Sequence, residues 1–503
     1  MKKSIFLLLI AYCLTPFTSS AQTVVDAVRY TQQNIIGTAR YNGVSGAFGA
    51  LGGDLSALNN NPASSAIFTV SFASFTGSLN AYDNDGYYFD GINSRDDSAI
   101  NFNQLGGVFV LNNSRIESPW KKLSFAVNYD RIQNFDDSYF ASGISNSSIS
   151  DYFLGNAQGF RLADLSVLSG ETSDDAYFNI GQDLGFQAQQ GFLGYQAFII
   201  DPVEDTDDNT AYVSNIANGN FSQEYDYTST GYNGKINFNV ATQYGERLYL
   251  GLNLNSHFID FEKQTVFFED NDNNGSRINS LRFGNNLEAL GNGFSFQLGG
   301  IYQLAQNWRL GASYDSPTWF TIEEKTTQSL FSNGADGSNT LSPNVVNVFE
   351  RYDLKTPAKA NASIAYIFEN IGFLSFDYSF QDFSKIEYKS NAVSDFNGQN
   401  QNISNQLSGV STYRLGGEYR ADAWSFRGGY RFETSPYEDA FAQSDITGFS
   451  VGLGYSFGAA RLDFAYSRSS QEINTRFYEG DFTNTALIDK ANNTFMTTLS
   501  FQL

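Results

Sequence analysis

The chain has 503 residues, with 46 Phe, 30 Tyr and 45 Gly against 8 Pro and 2 Met, and a formal charge of −23. Only 17% of residues are charged, so the acidity reflects few bases rather than many acids. A negative chain bearing an export signal is excluded from nucleic-acid binding by sign and compartment together.

That signal comes first. Lys2 and Lys3, an apolar run from Ile5 to Leu14 and the small residues Ser19-Ser20-Ala21 form a signal peptide over 1–21, with cleavage expected before Gln22. Its removal takes the charge from −23 to −25 and removes Cys13, the only cysteine, so the mature chain has neither disulfide nor thiol chemistry. Tyr12 before Cys13 and the apolar residues after it argue against a lipoprotein. Beyond the signal no apolar stretch reaches the roughly 18 residues of a membrane helix. Export, aromatic residues and glycine together fit a transmembrane β-barrel instead.

Residues 22–66 read as a compact segment ahead of that barrel. Gly37, Gly43, Gly46, Gly49, Gly52 and Gly53 permit backbone-to-backbone packing and positive φ. Asn61-Pro62-Ala63 closes the stretch as a turn, because proline keeps Asn61 out of the helical region. Arg40 and Asp54 either bridge to a barrel wall or form a solvated pair.

Period-two alternation then predicts an all-β, antiparallel barrel over 67–503. Leu248, Leu250, Leu252 and Leu254 alternate with Tyr249, Gly251, Asn253 and Asn255. The fourteen expected strands are 67–80, 99–112, 121–135, 231–244, 247–268, 292–304, 308–326, 353–368, 372–390, 410–420, 424–434, 444–457, 461–475 and 491–503. Tight turns such as 245–247, 305–307 and 421–423 alternate with longer loops, the largest at 136–230. Short turns on the periplasmic side and long loops outside are the pattern of this barrel class. Trp120, Trp308 and Trp424 each open a strand after a turn, as a periplasmic interfacial girdle would. Phe495, Leu499, Phe501 and Leu503 share one face of the closing strand.

Strand parity places Lys355, Lys359, Arg414, Arg420, Arg427 and Arg431 in the lumen. They are candidate contacts for a carboxylate head group, or partners of lumen acids such as Asp377, Glu418 and Asp463. His257, the only histidine, falls on a polar face with no acid nearby in sequence, and reads as a wall residue rather than part of a hydrolase site. Asp270-Asn-Asp272-Asn-Asn274-Gly275 matches half of a calcium loop but has Leu281 where the closing glutamate belongs, so no metal is expected.

Gly37 through Ala63, with the pair Arg40-Tyr41 and the closing Asn61-Pro62-Ala63, resembles the N-terminal hatch of the FadL/TodX family, outer-membrane transporters of long-chain fatty acids and other hydrophobic compounds. Fainter likeness runs through 125–139, 354–383 and 413–436, best at 423–430 and 434–436. The resemblance implies a fourteen-stranded barrel plugged by the hatch, with a kinked third strand opening a lateral passage to the bilayer. The alternation of the third strand decays at Tyr129, Asp130 and Arg131, which are the candidate kink although no glycine marks it. It also implies passive uptake without cofactor or catalysis, by a monomer of the Gram-negative outer membrane. Its partners are then fatty acids and related hydrophobic molecules, the surrounding lipid and lipopolysaccharide, and the outer-membrane assembly machinery. Two other classes stay open: a general diffusion porin, and a surface-binding protein or adhesin acting through 136–230.

Overall fold

A computed structural model describes residues 22–115, 117–335, 337–390 and 396–503. The expected signal peptide lies outside the described residues.

Alternation of apolar and polar side chains produces fourteen antiparallel strands. They are β1 (Phe72–Tyr88), β2 (Gly91–Asn112), β3 (Trp120–Asn134, resuming as Asp137–Ser145), β4 (Phe221–Tyr244), β5 (Leu248–Asp270), β6 (Ile278–Gln303) and β7 (Trp308–Asp315, resuming as Trp319–Gly334). The second half comprises β8 (Tyr352–Lys355, resuming as Lys359–Ile367), β9 (Gly372–Asp382), β10 (Gly409–Ala421), β11 (Trp424–Glu433), β12 (Ile446–Ser456), β13 (Ala460–Arg476) and β14 (Thr485–Gln502). Each strand pairs with the next, and β14 returns to β1 from Phe72↔Gln502 to Tyr87↔Leu487, which closes the barrel.

The faces are inverted relative to a soluble protein. On β5, Leu250, Leu252 and Leu254 are exposed while Asn253, Asn255 and His257 are buried in the lumen. Buried asparagines satisfy one another across strands: Asn253 donates to the Gln297 side chain at 2.8 Å and Asn237 to Asn255 at 2.8 Å. The rim at the short turns is aromatic. Trp120 meets Tyr244, Trp308 meets Tyr366, and Trp424 meets Tyr455, each edge-on with centroids 4.7–5.0 Å apart. In each pair the tryptophan opens one strand and the tyrosine lies near the short-turn end of a neighbour, which fixes these turns at one membrane interface.

Most strands extend past the lengths read from alternation, and they do so at the long-loop end. There the outer face turns polar, as at Asp83 and Asp85 of β1, and the apolar signal fades. The segment 136–230 therefore contributes the upper parts of β3 and β4, leaving 146–220 as the insertion. It carries α3 (Ser150–Ala157), α4 (Ser173–Leu184) and α5 (Phe186–Gln196). Thr172 starts α4 through a capping box with Asp175. At the other end of the chain, β1 begins at Phe72 rather than 67, because a 3-10 turn over Pro62–Ile67 precedes it.

Candidate functional site

The N-terminal segment sits in the lumen. Its α1 (Val24–Thr31), α2 (Ala39–Asn42) and two 3-10 turns (Ser56–Asn59, Pro62–Ile67) are short, and all but Ser56–Asn59 start from a side-chain cap. Thr23 caps α1, Thr38 caps α2 through the Tyr41 amide, and Asn61 caps the last turn through the Ala63 amide. Gly37, Gly46, Gly52 and Gly53 take φ of +146°, +72°, +64° and +70°. Gly49 has a different role. A Cβ there would come 2.0 Å from the Ser363 hydroxyl, and the Gly49 amide donates to Asp377 at 2.8 Å. The facing wall is also bare: a Cβ at Gly311 would lie 2.2 Å from the Gly49 carbonyl oxygen. Gly43 similarly meets Gly452 backbone to backbone. Asn61 donates to the Gly49 and Gly300 carbonyls at 2.8 and 3.0 Å, and Pro62 accepts from Asn239 at 2.8 Å. Ala63 is fully buried between them.

Arg40 ties this segment to the wall by charge. Its Nε lies 3.2 Å from Glu418, and its Nη1 donates to the Gly53 carbonyl at 2.9 Å. Glu418 also accepts from Arg420 and Arg427 at 2.7 Å each. Asp463 receives Arg427 at 2.8 Å and Arg461 at 3.0 Å. Asp54 faces away from Arg40, accepting from Thr38 at 2.8 Å and from the Ser56 amide at 3.0 Å. Burial raises its pKa above the usual aspartate value, against the lowering field of Arg40.

Of the six cations that parity places in the lumen, Lys355 instead lies on the outer face, paired across the sheet with exposed Trp319 and alternating with buried Tyr352 and Leu354. Five of the six are ion-paired. Lys355 is 3.6 Å from Glu387, Lys359 is 3.4 Å from Asp315, and Arg431 is 2.7 Å from Glu433, beside the Arg420 and Arg427 pairs already described. Arg414 has no carboxylate within 4 Å among the described residues, and its Nε is buried without an acceptor.

The third strand breaks between Asn134 and Asp137, a few residues beyond Tyr129, Asp130 and Arg131. Pairing of β2 with β3 runs from Asn112↔Lys122 only to Gln104↔Asp130. Beyond that point β3 stays with β4 alone, through a register shift between Arg131 and Gln133. Asp130 points into the lumen and accepts from Ser56 at 3.0 Å. Tyr129 points outward, stacked 5.3 Å from Phe102, and Arg131 lies over Tyr232 at 4.7 Å. Ile100 and Phe102, on the outer face of β2 beside the vacated edge, are 87% and 40% exposed. The seam is crossed by side chains: Asn101 donates to Asp136 at 3.2 Å, and Asn134 bonds the Tyr82 hydroxyl. The glycines of the kink lie on neighbouring strands. Gly231 of β4 adopts φ +117°, with its carbonyl taking the Phe135 amide at 3.0 Å.

Just inside the seam, apolar side chains pack into a buried cluster. Phe135 meets Tyr30 of α1 and Phe261 of β5 at 6.3 and 5.2 Å. Ile259, Phe320, Ile322 and Leu354 continue it. Glu324, buried at 1% exposure, accepts from Tyr352 at 2.7 Å, Gln22 at 3.1 Å and Tyr30 at 3.3 Å, which anchors α1. Above, α3, α4 and α5 pack onto inward-facing Phe267, Phe283 and Leu330 and close the long-loop mouth.

His257 lies 2.8 Å from the Ser295 hydroxyl, with its Nδ1 unpartnered, so no acid orients it for nucleophilic catalysis. In the Asp270–Gly275 turn, Asn271 donates to the Ile278 carbonyl and Asn273 to that of Ala217, spending those side chains on loop closure. Sequence reasoning missed the wall glycines Gly311 and Gly452, and Glu324. Glycines recurring on the polar face of otherwise regular strands are the signal that could have found the first two.

Residues 206–496 match the family described as outer membrane protein transport protein (OMPP1/FadL/TodX). No curated protein shows a match. Among solved structures, a FadL homologue of Pseudomonas aeruginosa is 13% identical, aligned over 94% of this chain and 98% of its own, with a TM-score of 0.53. The toluene transporter TodX of Pseudomonas putida is 12% identical over 93% and 98%, with a TM-score of 0.52. At such identity the likeness concerns the fold, a closed fourteen-stranded barrel with helices in its N-terminal segment.

Proposed function

Because the chain belongs to the OMPP1/FadL/TodX family of outer-membrane transport proteins, which move hydrophobic compounds and are not enzymes, we propose that it takes up long-chain fatty acids passively and releases them sideways into the bilayer. Residues 22–66 act as the plug. The ligand passes the apolar cluster at Phe135 and Tyr30 and leaves through the seam between β2 and β3.

The observation that carries this reading is the end of the β2–β3 ladder at Gln104↔Asp130, beside the apolar cluster of Phe135 and Tyr30 on the inside and exposed Ile100 and Phe102 on the outside. An apolar path from lumen to lipid spares the ligand both the polar leaflet surface and the plugged axis. Arg414, one of the inward-facing guanidiniums without an ion pair among the described residues, is the candidate to meet a carboxylate. A mouth packed with helices and an N-terminal segment fastened at many points speak against a general diffusion pore.

The test is binding of radiolabelled oleate to the purified, detergent-folded barrel, with octanoate and a neutral aromatic as competitors. Saturable binding displaced by unlabelled oleate is expected, weakened by Arg414→Gln. Absence of binding in a heat-modifiable, folded barrel would overturn the reading.

A further inference from the structure

Glu324 of β7 is 1% exposed, yet no cation pairs with it among the described residues. Its Oε1 accepts from Tyr352 at 2.7 Å and from Tyr30 at 3.3 Å, while its Oε2 accepts from the Gln22 side-chain amide at 3.1 Å. All three donors are neutral. Arg29 is occupied by Asp26, and Lys263 of β5 acts on both acids from a distance, with no ion pair to either among the described residues. A carboxylate taken out of water calls for a cation as well as hydrogen bonds, and each of its oxygens has room for two donors. Oε2, the oxygen bonded to Gln22, has one position open.

Gln22 is also the residue before which the chain is expected to be cut. It is 6% exposed, and its neighbour fixes it in the lumen: the Thr23 carbonyl accepts from Tyr388 at 3.0 Å, and the Thr23 amide donates to Asp26 at 3.1 Å. Hydrolysis of the Ala21–Gln22 amide adds water across the C–N bond. Ala21 takes the hydroxyl and leaves as a carboxylate; the Gln22 nitrogen keeps the electron pair and is protonated to an ammonium at neutral pH. Covalent geometry holds that nitrogen within about 6 Å of the Gln22 Nε2 and about 4 Å of the Thr23 nitrogen. It therefore stands in the field of both the Glu324 and the Asp26 carboxylates.

We propose that Glu324, with Tyr30 and Tyr352, forms a buried site for a primary ammonium, and that its occupant is this chain's own α-amine, set free at Gln22 when the leader is removed. The uncut chain carries a neutral amide nitrogen at that point, so the N-terminal segment gains its charge partner only after export. The pairing also protects Gln22 from cyclisation, in which the unprotonated amine attacks its own side-chain amide and expels ammonia. None of this depends on what the barrel carries.

The test is mass spectrometry of the exported, detergent-folded barrel after acetylation with acetic anhydride at neutral pH, with the urea-unfolded chain as reference. The chain should begin at an uncyclised Gln22, and its α-amine should react at least about tenfold more slowly folded than unfolded. Glu324→Gln should speed the folded-state reaction at least about tenfold, as loss of a charge-assisted hydrogen bond does, and Glu324→Asp should keep most of the protection. One glycine inserted before Gln22 moves the ammonium by about 3.6 Å and leaves Glu324 intact. Amide exchange over 24–31 should speed up in the insertion variant and in Glu324→Gln, and the two changes together should do no more than the larger alone. A chain that begins elsewhere, a cyclised Gln22, or an amine as reactive folded as unfolded would overturn the proposal. So would protection indifferent to Glu324→Gln, or effects of insertion and Glu324→Gln that simply add.

Discussion

Ser56 of the N-terminal segment donates its hydroxyl to the Asp130 carboxylate across 3.0 Å, and Asp130 is the last residue at which β3 still pairs with β2. The N-terminal segment is thus tied to β3 where the wall begins to part, and Asn34 continues the contact through the Ile132 carbonyl at 3.0 Å and the Asn134 amide at 3.1 Å.

Ser56→Ala removes that donor and leaves a buried carboxylate with one partner fewer. The cost is about 1–3 kcal/mol, which should speed amide exchange over 38–60 by several-fold to about a hundredfold, if the plug opens as a unit. Exchange indistinguishable from wild type would mean that the plug is seated without this bond.

Gly311→Ala should unseat the plug for a steric reason. Its Cβ would stand 2.2 Å from the Gly49 carbonyl oxygen, whereas a Cβ at Gly428 has nothing closer than 4.0 Å. Planar-bilayer recordings should show raised leak conductance for Gly311→Ala and none for Gly428→Ala, with both barrels folded. Equal, low conductance in the two would argue that the segment does not seal the lumen.

Acid should tighten the plug through Asp54. Burial raises its pKa in the folded state, so its contribution is complete below the unfolded value of about 3.9 and is lost as pH rises through the folded value. Leak conductance attributable to Asp54 should fall on acidification toward pH 4, and Asp54→Asn should remove that part of the pH dependence. A wild-type and Asn profile that coincide would contradict it.

Arg427 sits between Glu418 and Asp463 with its side chain fully buried. Arg427→Met takes one buried partner from each acid, leaving Glu418 to Arg40 and Arg420 and Asp463 to Arg461, and should cost up to about 3–5 kcal/mol, the range for breaking a buried pair. Urea unfolding followed by heat-modifiable mobility should show an earlier midpoint. A midpoint within error of wild type would indicate that Arg40, Arg420 and Arg461 suffice for the two acids.

Strand order, the tight turns and the tryptophan rim were legible because lipid demands an apolar outer face, and that demand writes period two into the sequence. Past the lipid band the demand lapses. Hence Asp83 and Asp85 of β1 break the apolar outer face, and at 221–230 of β4 the alternation is inverted, with Phe221 and Tyr225 buried and Ser222 and Glu224 exposed. The kink was legible only as decay after Tyr129, since the glycine that permits it, Gly231, belongs to the neighbouring strand. Arg427 and Arg420 could be placed in the lumen by parity. Their engagement with Glu418 depended on which side chains meet across β10, β11 and β13, and no one-dimensional pattern fixes that. The capping box of Thr172 and Asp175 was available in sequence as a helix signal within the insertion.

Lateral release is tested most directly by closing the seam. Asn101 and Asp136 face each other across it with a 3.2 Å side-chain hydrogen bond, and the described chain contains no cysteine. In the double variant Asn101→Cys/Asp136→Cys, uptake of labelled oleate by intact cells should fall to background when the disulfide is formed and recover on reduction. Undiminished uptake with the bridge verified as closed would contradict exit between β2 and β3.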